Sequence, residues 1–324
     1  MRAVSAQQKK GILAAGIAVA DVIARPFRDL PEPGSLGLID EIGLYSGGCA
    51  ANTALSLARL GIPVDVLACV GRDEFGDFIA RTLERGGVGA SAVVRVGEYQ
   101  TSSTVVLVSE DGERSFLHCT GANGAMRPEQ FPDQLLARYG ILHMGGALLL
   151  PGFDGQPMAS VLARARALGL VTVLDTAYDR TGRWMQTLGP CLPHVDVLMA
   201  GRNEAAGLTG AGDPDGMADG FLARGVGRVA IKLGGEGCLL KSAGERHRLP
   251  AFDLPVVDTT GAGDAFAAGF LAGLYSGLGL RECGLLGCAC GGRCVGYLGA
   301  ASFPIERNWL RQRLQGLGEF APLL

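Results

Sequence analysis

No run of basic residues occurs in these 324 residues, and the formal net charge is −3. Both facts argue against nucleic acid as a partner and against an anionic membrane surface. Charged residues are scarce, 19% against 48% hydrophobic, a balance that excludes disorder and provides for a sizeable core. No segment beyond the N-terminal region is long and apolar enough to span a bilayer, so no membrane partner is expected. Internal repeats and low-complexity linkers are missing, which points to one core domain. The nine cysteines fall into no disulfide-scaffold pattern, and their odd number leaves one over. They read as reduced, mostly buried side chains, in keeping with a cytoplasmic location. Cys283, Cys288, Cys290 and Cys294 cluster without a nearby His, and packing on a helix is the expected reason.

Two nucleotide-site patterns are also missing. There is no Gly-x-x-x-x-Gly-Lys-Ser/Thr. A dinucleotide fingerprint would need a third Gly where Gly261-x-Gly263-x-x-Phe266 has Phe. The N-terminal Lys9-Lys10, Gly11–Ala20 and Ala18-Val-Ala20 have the outline of a signal peptide with its cleavage site. The same run also reads as a buried first strand leading to Asp21, which is the reading adopted.

What is present is an alternation of apolar runs with helical patterns, the mark of an α/β fold with a mostly parallel sheet covered on both faces. Strands are expected at Ile12–Val19, Val64–Cys69, Ile141–Met144, Val171–Leu174, Val195–Met199 and Val229–Leu233. Helices are expected at Asn52–Leu60, Glu74–Arg85, Met158–Leu168, Met217–Arg224 and from Ala265 onward. Residues 22–45 and 93–118 break the rhythm. The second alternates (Val94, Val96, Thr104–Val108, Ser115–His118) about a Glu110-Asp-Gly112 turn. Together they read as a small antiparallel β lid on a core of residues 1–21, 46–92 and 119–324, with free edges suited to a homodimer.

The densest chemical signal is Asp258-Thr-Thr-Gly-Ala-Gly-Asp264, followed by an apolar helical stretch. A helix N-terminus presents unpaired N–H groups and partial positive charge, and small residues there let a phosphate approach closely. A carboxylate directly behind such a nest repels phosphate, but it can take the proton of an attacking hydroxyl. The pattern therefore reads as phosphoryl transfer to an alcohol. A second element, Gly47-Gly48-Cys-Ala-Ala-Asn52-Thr-Ala54 with Gly61 and Gly71, offers close backbone approach and a side-chain amide that both donates and accepts.

In residue type and spacing, these two elements resemble the two signatures of the ribokinase-like, or phosphofructokinase-B type, carbohydrate kinases. The resemblance extends to Gly16…Asp21, Gly121-Ala-Asn123, Lys232-Leu-Gly234-x-x-Gly237 and Gly299-Ala300, nearly the whole chain. It implies that Asp264 is the base that deprotonates the acceptor, and that the backbone of Gly261, Ala262 and Gly263 forms an anion hole. It implies acceptor binding by Asp21, Gly47, Gly48, Asn52 and Asn123, and ATP with Mg2+ along Lys232, Gly234, Gly237 and Gly263. Asp258 and Thr260, with the Gly299–Ser302 region, match positions that hold a monovalent cation such as K+ in many relatives. Glu204 matches an acidic position linked to Mg2+, but the Asn that precedes it in the family is Gly201 here. Asp175-Thr-Ala-Tyr-Asp-Arg180…Trp184 resembles an element of fructokinases and ketodeoxygluconate kinases, without its Asn and with the Arg shifted. The acceptor class implied is a small sugar or a nucleoside. A sugar or nucleotide sensor on the same fold would have no need of Asp264.

Overall fold

In the computed structural model, the described residues are 10–110, 113–300, 303–320 and 323. In chain order the strands are β1 (Ile12–Gly16), β2 (Val19–Phe27), β3 (Glu41–Gly47), β4 (Val64–Leu67), β5 (Cys69–Gly71), β6 (Val94–Val96), β7 (Ser103–Ser109), β8 (Arg114–Cys119), β9 (Ile141–Ala147), β10 (Val171–Thr176), β11 (Val197–Gly201), β12 (Arg228–Lys232), β13 (Cys238–Ser242) and β14 (Arg246–Leu249). The helices are α1 (Cys49–Arg59), α2 (Glu74–Arg85), α3 (Asp133–Leu136), α4 (Gln156–Ala167), α5 (Trp184–Leu188), α6 (Arg202–Thr209), α7 (Pro214–Leu222), α8 (Ala262–Tyr275), α9 (Leu280–Cys294) and α10 (Arg307–Leu314).

An eight-stranded sheet in the order β14-β13-β12-β11-β10-β9-β1-β4 forms the centre. The strands from β4 to β12 in that order are parallel, and β13 and β14 close one edge antiparallel. Its strands read as continuous apolar runs because both faces are covered. Alternate residues serve two cores. Ile12, Ala14, Val173 and Met199 pack in one with residues of α1, α8 and α9. Leu13, Leu142, Leu174 and Leu198 pack in the other with residues of α4 and α7. Cys283 and Cys290 are buried where α9 meets α8. A Cβ on Gly269 would lie 2.9 Å from the Cys290 sulfur, and one on Gly273 would lie 3.0 Å from that of Cys283.

Several expected elements divide or shift. The Ile12–Val19 run breaks after Gly16, where Ile17 N donates to Gly145 O (3.2 Å) and the chain leaves the large sheet; Val19 already belongs to β2. The Val64–Cys69 run divides into β4 and β5 in the same way. The helix expected from Asn52 starts at Cys49, because Asn52 N already donates to Gly48 O (2.9 Å). The motif helix starts at Ala262 rather than Ala265, which brings Asp264 into its first turn. Ahead of α8 the chain runs as a loop in which Val256 and Val257 are 66% and 64% exposed.

The segments expected as an antiparallel lid contribute to a four-stranded sheet in the order β3-β2-β7-β8. The β2–β3 and β7–β8 pairs are antiparallel, but β2 and β7 run parallel. Parallel neighbours require a long crossover, and here it is supplied by α1, β4, β5 and α2. Val94 and Val96 do not join this sheet; β6 pairs with β5. Asp111 and Gly112, the tip of the expected turn, lie outside the described residues. No helix among the described residues is long and apolar enough to cross a membrane.

Candidate active site

The carboxyl ends of the parallel strands deliver polar side chains to one edge of the large sheet, where ligands bind in open α/β folds. Asp175 comes from the end of β10, Glu204 from the first turn of α6 after β11, and Lys232 from the end of β12. The N-terminus of α8 points into the same space. It is a mostly apolar helix with its residues from Ala265 to Tyr275 buried, so packing rather than its polar first turn fixes its axis.

Gly261 caps α8 in a left-handed conformation (φ 79°), and a Cβ there would lie 2.5 Å from the Cα of Ala300. Only Gly combines that backbone with that approach. Ala262 N donates to Thr259 O (3.2 Å), so of the three expected anion-hole amides this one is already bonded within the turn. Helix α1 packs against α8 and carries Asn52 to the reacting end: Asn52 Nδ2 donates to Asp264 Oδ2 (2.8 Å). Asn52 Oδ1 is buried with no hydrogen-bond partner among the described residues. Burial pushes Asp264 above the usual carboxylate pKa range. The Asn52 hydrogen bond, the Lys232 charge and the Cys49 thiol pull the other way, while Glu204 adds to the rise. A carboxylate raised in this way is a stronger base at neutral pH than an exposed one.

Lys232 Nζ donates to Asp175 Oδ1 at 2.6 Å, with the two side chains 17% and 3% exposed. Burial opposes its charge, but Asp175, Glu204 and Asp264 outweigh that and raise its pKa, so it remains a cation. A Cβ built on Gly263 would lie 3.3 Å from Lys232 Nζ, which places the ammonium against the amide nest. Beside it, Gly234, Gly237, Phe252, Phe266 and Cys288 help line a cavity of about 340 Å3 that reaches Gly263. Cys288 of α9 therefore forms part of a cavity wall. Its sulfur is 3.6 Å from that of Cys238, and both are free thiols.

On the other side lies Asp21, opposite Tyr45 on β3 and Thr104 on β7, with Thr104 in turn opposite His118 on β8. Cross-strand partners share a face, so these four side chains form one row. A Cβ on Gly47 would fall 1.9 Å from Asp21 Oδ2, and one on Gly48 (φ 92°) would fall 2.5 Å from Ile17 O. The two glycines thus make room for the Asp21 carboxylate and for the turn into α1. Burial raises Asp21 to about 6, Thr104 lowers it, and the Asp264 charge adds to the rise.

Three expected site residues have other structural commitments. Asn123 is buried, with Oδ1 accepting from Ala18 N and Nδ2 donating to Ala18 O (both 3.2 Å), so its side chain pins the approach to β2. Glu204 folds back on its own helix: Oε2 accepts from Gly201 N (2.7 Å) and Thr176 Oγ1 (2.8 Å). A Cβ at position 201 would lie 3.2 Å from that carboxylate, tight for any side chain, and Asn203 is exposed rather than turned into the site. Asp258, expected at a cation position, is paired with Arg114 at 2.6 Å. Ser302 of the same expected region lies outside the described residues.

Asp175 stands out in the sequence as a carboxylate at the end of a buried parallel strand, though without a pairing role. Cys49 lies within the Gly47–Ala54 element without being assigned to the site, and nothing local marks Arg114.

Residues 9–307 match the description "pfkB family carbohydrate kinase". The chain belongs to that family. It is 32% identical over 293 residues to an ATP-dependent ribose-1-phosphate kinase of Halopiger xanaduensis, covering 90% of this chain and 94% of the relative. Among solved structures, Arabidopsis thaliana ribokinase complexed with ribose and ATP superposes with a TM-score of 0.82 at 25% identity, over 94% of this chain and 99% of that one. The nucleoside kinase of Methanocaldococcus jannaschii shares the fold, with a TM-score of 0.77 at 23% identity over 94% and 98%. The protein is a carbohydrate kinase with a ribokinase-like fold.

Proposed function

We propose that the protein transfers the terminal phosphoryl group of ATP to a hydroxyl, a primary one, of a small sugar or related polyol. The observation that carries this reading is the Asn52–Asp264 contact at 2.8 Å, which holds a carboxylate of raised pKa at the first turn of α8, behind the amide nest. In this reading Asp264 takes the proton of the acceptor hydroxyl. The acceptor oxygen bonds to phosphorus as the bond to the ADP oxygen breaks. The Gly261 and Gly263 amides and the nearby Lys232 ammonium stabilise the charge on the transferring group. Asp21 accepts hydrogen bonds from acceptor hydroxyls, and Asn52 Oδ1 is available for another.

The cavity beside Gly234 and Gly237 suits the adenosine, with apolar walls at Phe252 and Phe266 and one end at Gly263. Among the described residues no group of three or more His, Cys, Asp or Glu could hold a metal ion. Mg2+ carried on nucleotide phosphates and waters needs no such cage, and the committed carboxylate of Glu204 fits an indirect role. When bound, Mg2+ supplies positive charge to the phosphate oxygens. Nine free thiols suit a reducing, cytoplasmic setting.

The sheet face opposite Asp21 carries Leu44, Val22, Val105 and Leu117 in one row, of which Leu44, Val105 and Leu117 are among the exposed large apolar side chains, together with Ile42. Such a face suits a second copy, giving a homodimer through the lid sheet. A nucleoside acceptor is the second reading. Phe116, two residues from His118 and 57% exposed, is on the Asp21 face and offers a ring on which a base could stack.

A coupled ADP-release assay across hexoses, pentoses and nucleosides, with and without K+, tests both readings. Turnover with a sugar supports the first, and turnover confined to nucleosides supports the second. ATP binding with no turnover on any acceptor would replace both by a sensor.

A further inference from the structure

Resting on the kinase reading, the geometry points to Arg114 as a positioning residue that takes the place of the monovalent cation at the Asp258–Thr260 turn. The side-chain oxygens of Asp258 and Thr260 already have partners among the described residues. Asp258 is buried, its side chain 1% exposed. Its Oδ1 accepts from Thr260 N (2.7 Å), and its Oδ2 accepts from Gly299 N (2.7 Å) and pairs with Arg114 Nη2 at 2.6 Å. Arg114 Nη1 donates to Thr260 Oγ1. One guanidinium thus spans the carboxylate and the hydroxyl, the side-chain oxygens that this turn could offer a cation. A planar, permanently charged fork bridges two oxygens in fixed geometry. A cation added beside it would face a second positive charge and no uncommitted carboxylate oxygen.

The origin of Arg114 gives the contact its consequence. It is the first residue of β8, on the same strand face as Phe116 and His118 and hence as the Asp21 row. It lies 146 positions from Thr260 in the sequence. Its side chain is 16% exposed and joins the four-stranded sheet to the turn that leads directly into Gly261–Asp264. A cation from solvent would brace the turn alone; Arg114 braces the turn and ties the lid sheet to it. The enzyme should therefore run without K+, with the anion hole set by the position of the sheet.

The test compares wild type, Arg114→Ala and Arg114→Lys in K+ and in tetramethylammonium at equal ionic strength. It reads kcat and KM separately, together with the K+-induced shift in Tm. Wild type should change less than twofold in kcat between the two salts and show no K+-specific shift in Tm. Arg114→Ala should lose at least tenfold in kcat in tetramethylammonium, with ATP KM altered less. K+ should restore much of that loss and raise the variant's Tm, and Arg114→Lys should remain closer to wild type. Several-fold activation of wild type by K+, or a K+-specific rise in its Tm, overturns the inference. So does an Arg114→Ala enzyme that keeps its kcat, or one whose loss K+ does not repair. If Arg114→Ala does not fold, the wild-type arms decide alone. The Tm arm needs no turnover, so failure of the kinase reading and failure of this inference give different results.

Discussion

Asp258 and Asp264 belong to one seven-residue run, yet their surroundings drive them in opposite directions. Asp264 is raised, by burial first, with Asn52, Lys232 and Cys49 only partly offsetting it. At Asp258 burial also raises the pKa, but the Arg114 hydrogen bond and two backbone donors outweigh it and hold the carboxyl below the usual range. The loop end of the motif is therefore an anion with a partner on each carboxylate oxygen, a brace. The helix end is a carboxylate whose charge is only partly compensated, and the proposed function makes it the base. Two carboxylates made different by environment is how one site separates structural from chemical roles.

The largest expected effect lies at the helix end. Asp264→Asn should lower kcat by about 10²-fold or more with substrate affinity largely kept, since general-base catalysis contributes on that scale. Near-normal turnover in that variant would erase the contrast between the two carboxylates. Next comes the cation between them and the sheet. Lys232→Met leaves Asp175 buried without its partner and should cost about 3 kcal/mol in denaturant-measured stability, in addition to lost turnover. An unchanged unfolding midpoint would mean that the pair contributes nothing net.

A third effect concerns the acceptor side. Asp21 titrates near 6, so acceptor KM should rise as pH falls through about 6 and the carboxylate becomes protonated. Asp21→Asn should raise KM by about tenfold at pH 8 and remove most of that pH dependence, in line with losing hydrogen bonds to a charged group. Acceptor KM profiles of the two proteins between pH 5 and pH 8 check this. The smallest effect belongs to the brace. The pKa of Asp258 is depressed in the fold, so its stabilisation is present above the ordinary carboxylate pKa and is lost as pH falls through the folded value. Asp258→Asn should be less stable than wild type at neutral pH, and the gap should narrow in acid. A gap that widens in acid would assign the brace to the wrong residue.

Much of the large sheet was legible because burial on both faces writes itself as continuous apolar runs, and α2 matched from Glu74 to Arg85 because Asp73 caps it and Gly86 follows it. The four-stranded sheet was less so. The parallel pairing of β2 and β7 depends on a crossover that local alternation cannot register, and β6 pairs with β5 across the intervening α2. Among candidate site residues, Asp264, Asn52 and Gly47-Gly48 stood out because their chemistry is local to a helix start. Glu204 and Asn123 were visible as polar residues, but not their commitments to Gly201, Thr176 and Ala18.

What the sequence determined by itself was the family, the parallel sheet and the amide nest with its carboxylate, since each rests on neighbours a few residues apart. Tertiary structure alone decided which charges meet. Lys232 finds Asp175 across the ends of two strands, and Arg114 finds Asp258 from a different sheet. Long-range electrostatics depends on distance in space, and distance in space is what a linear pattern does not carry.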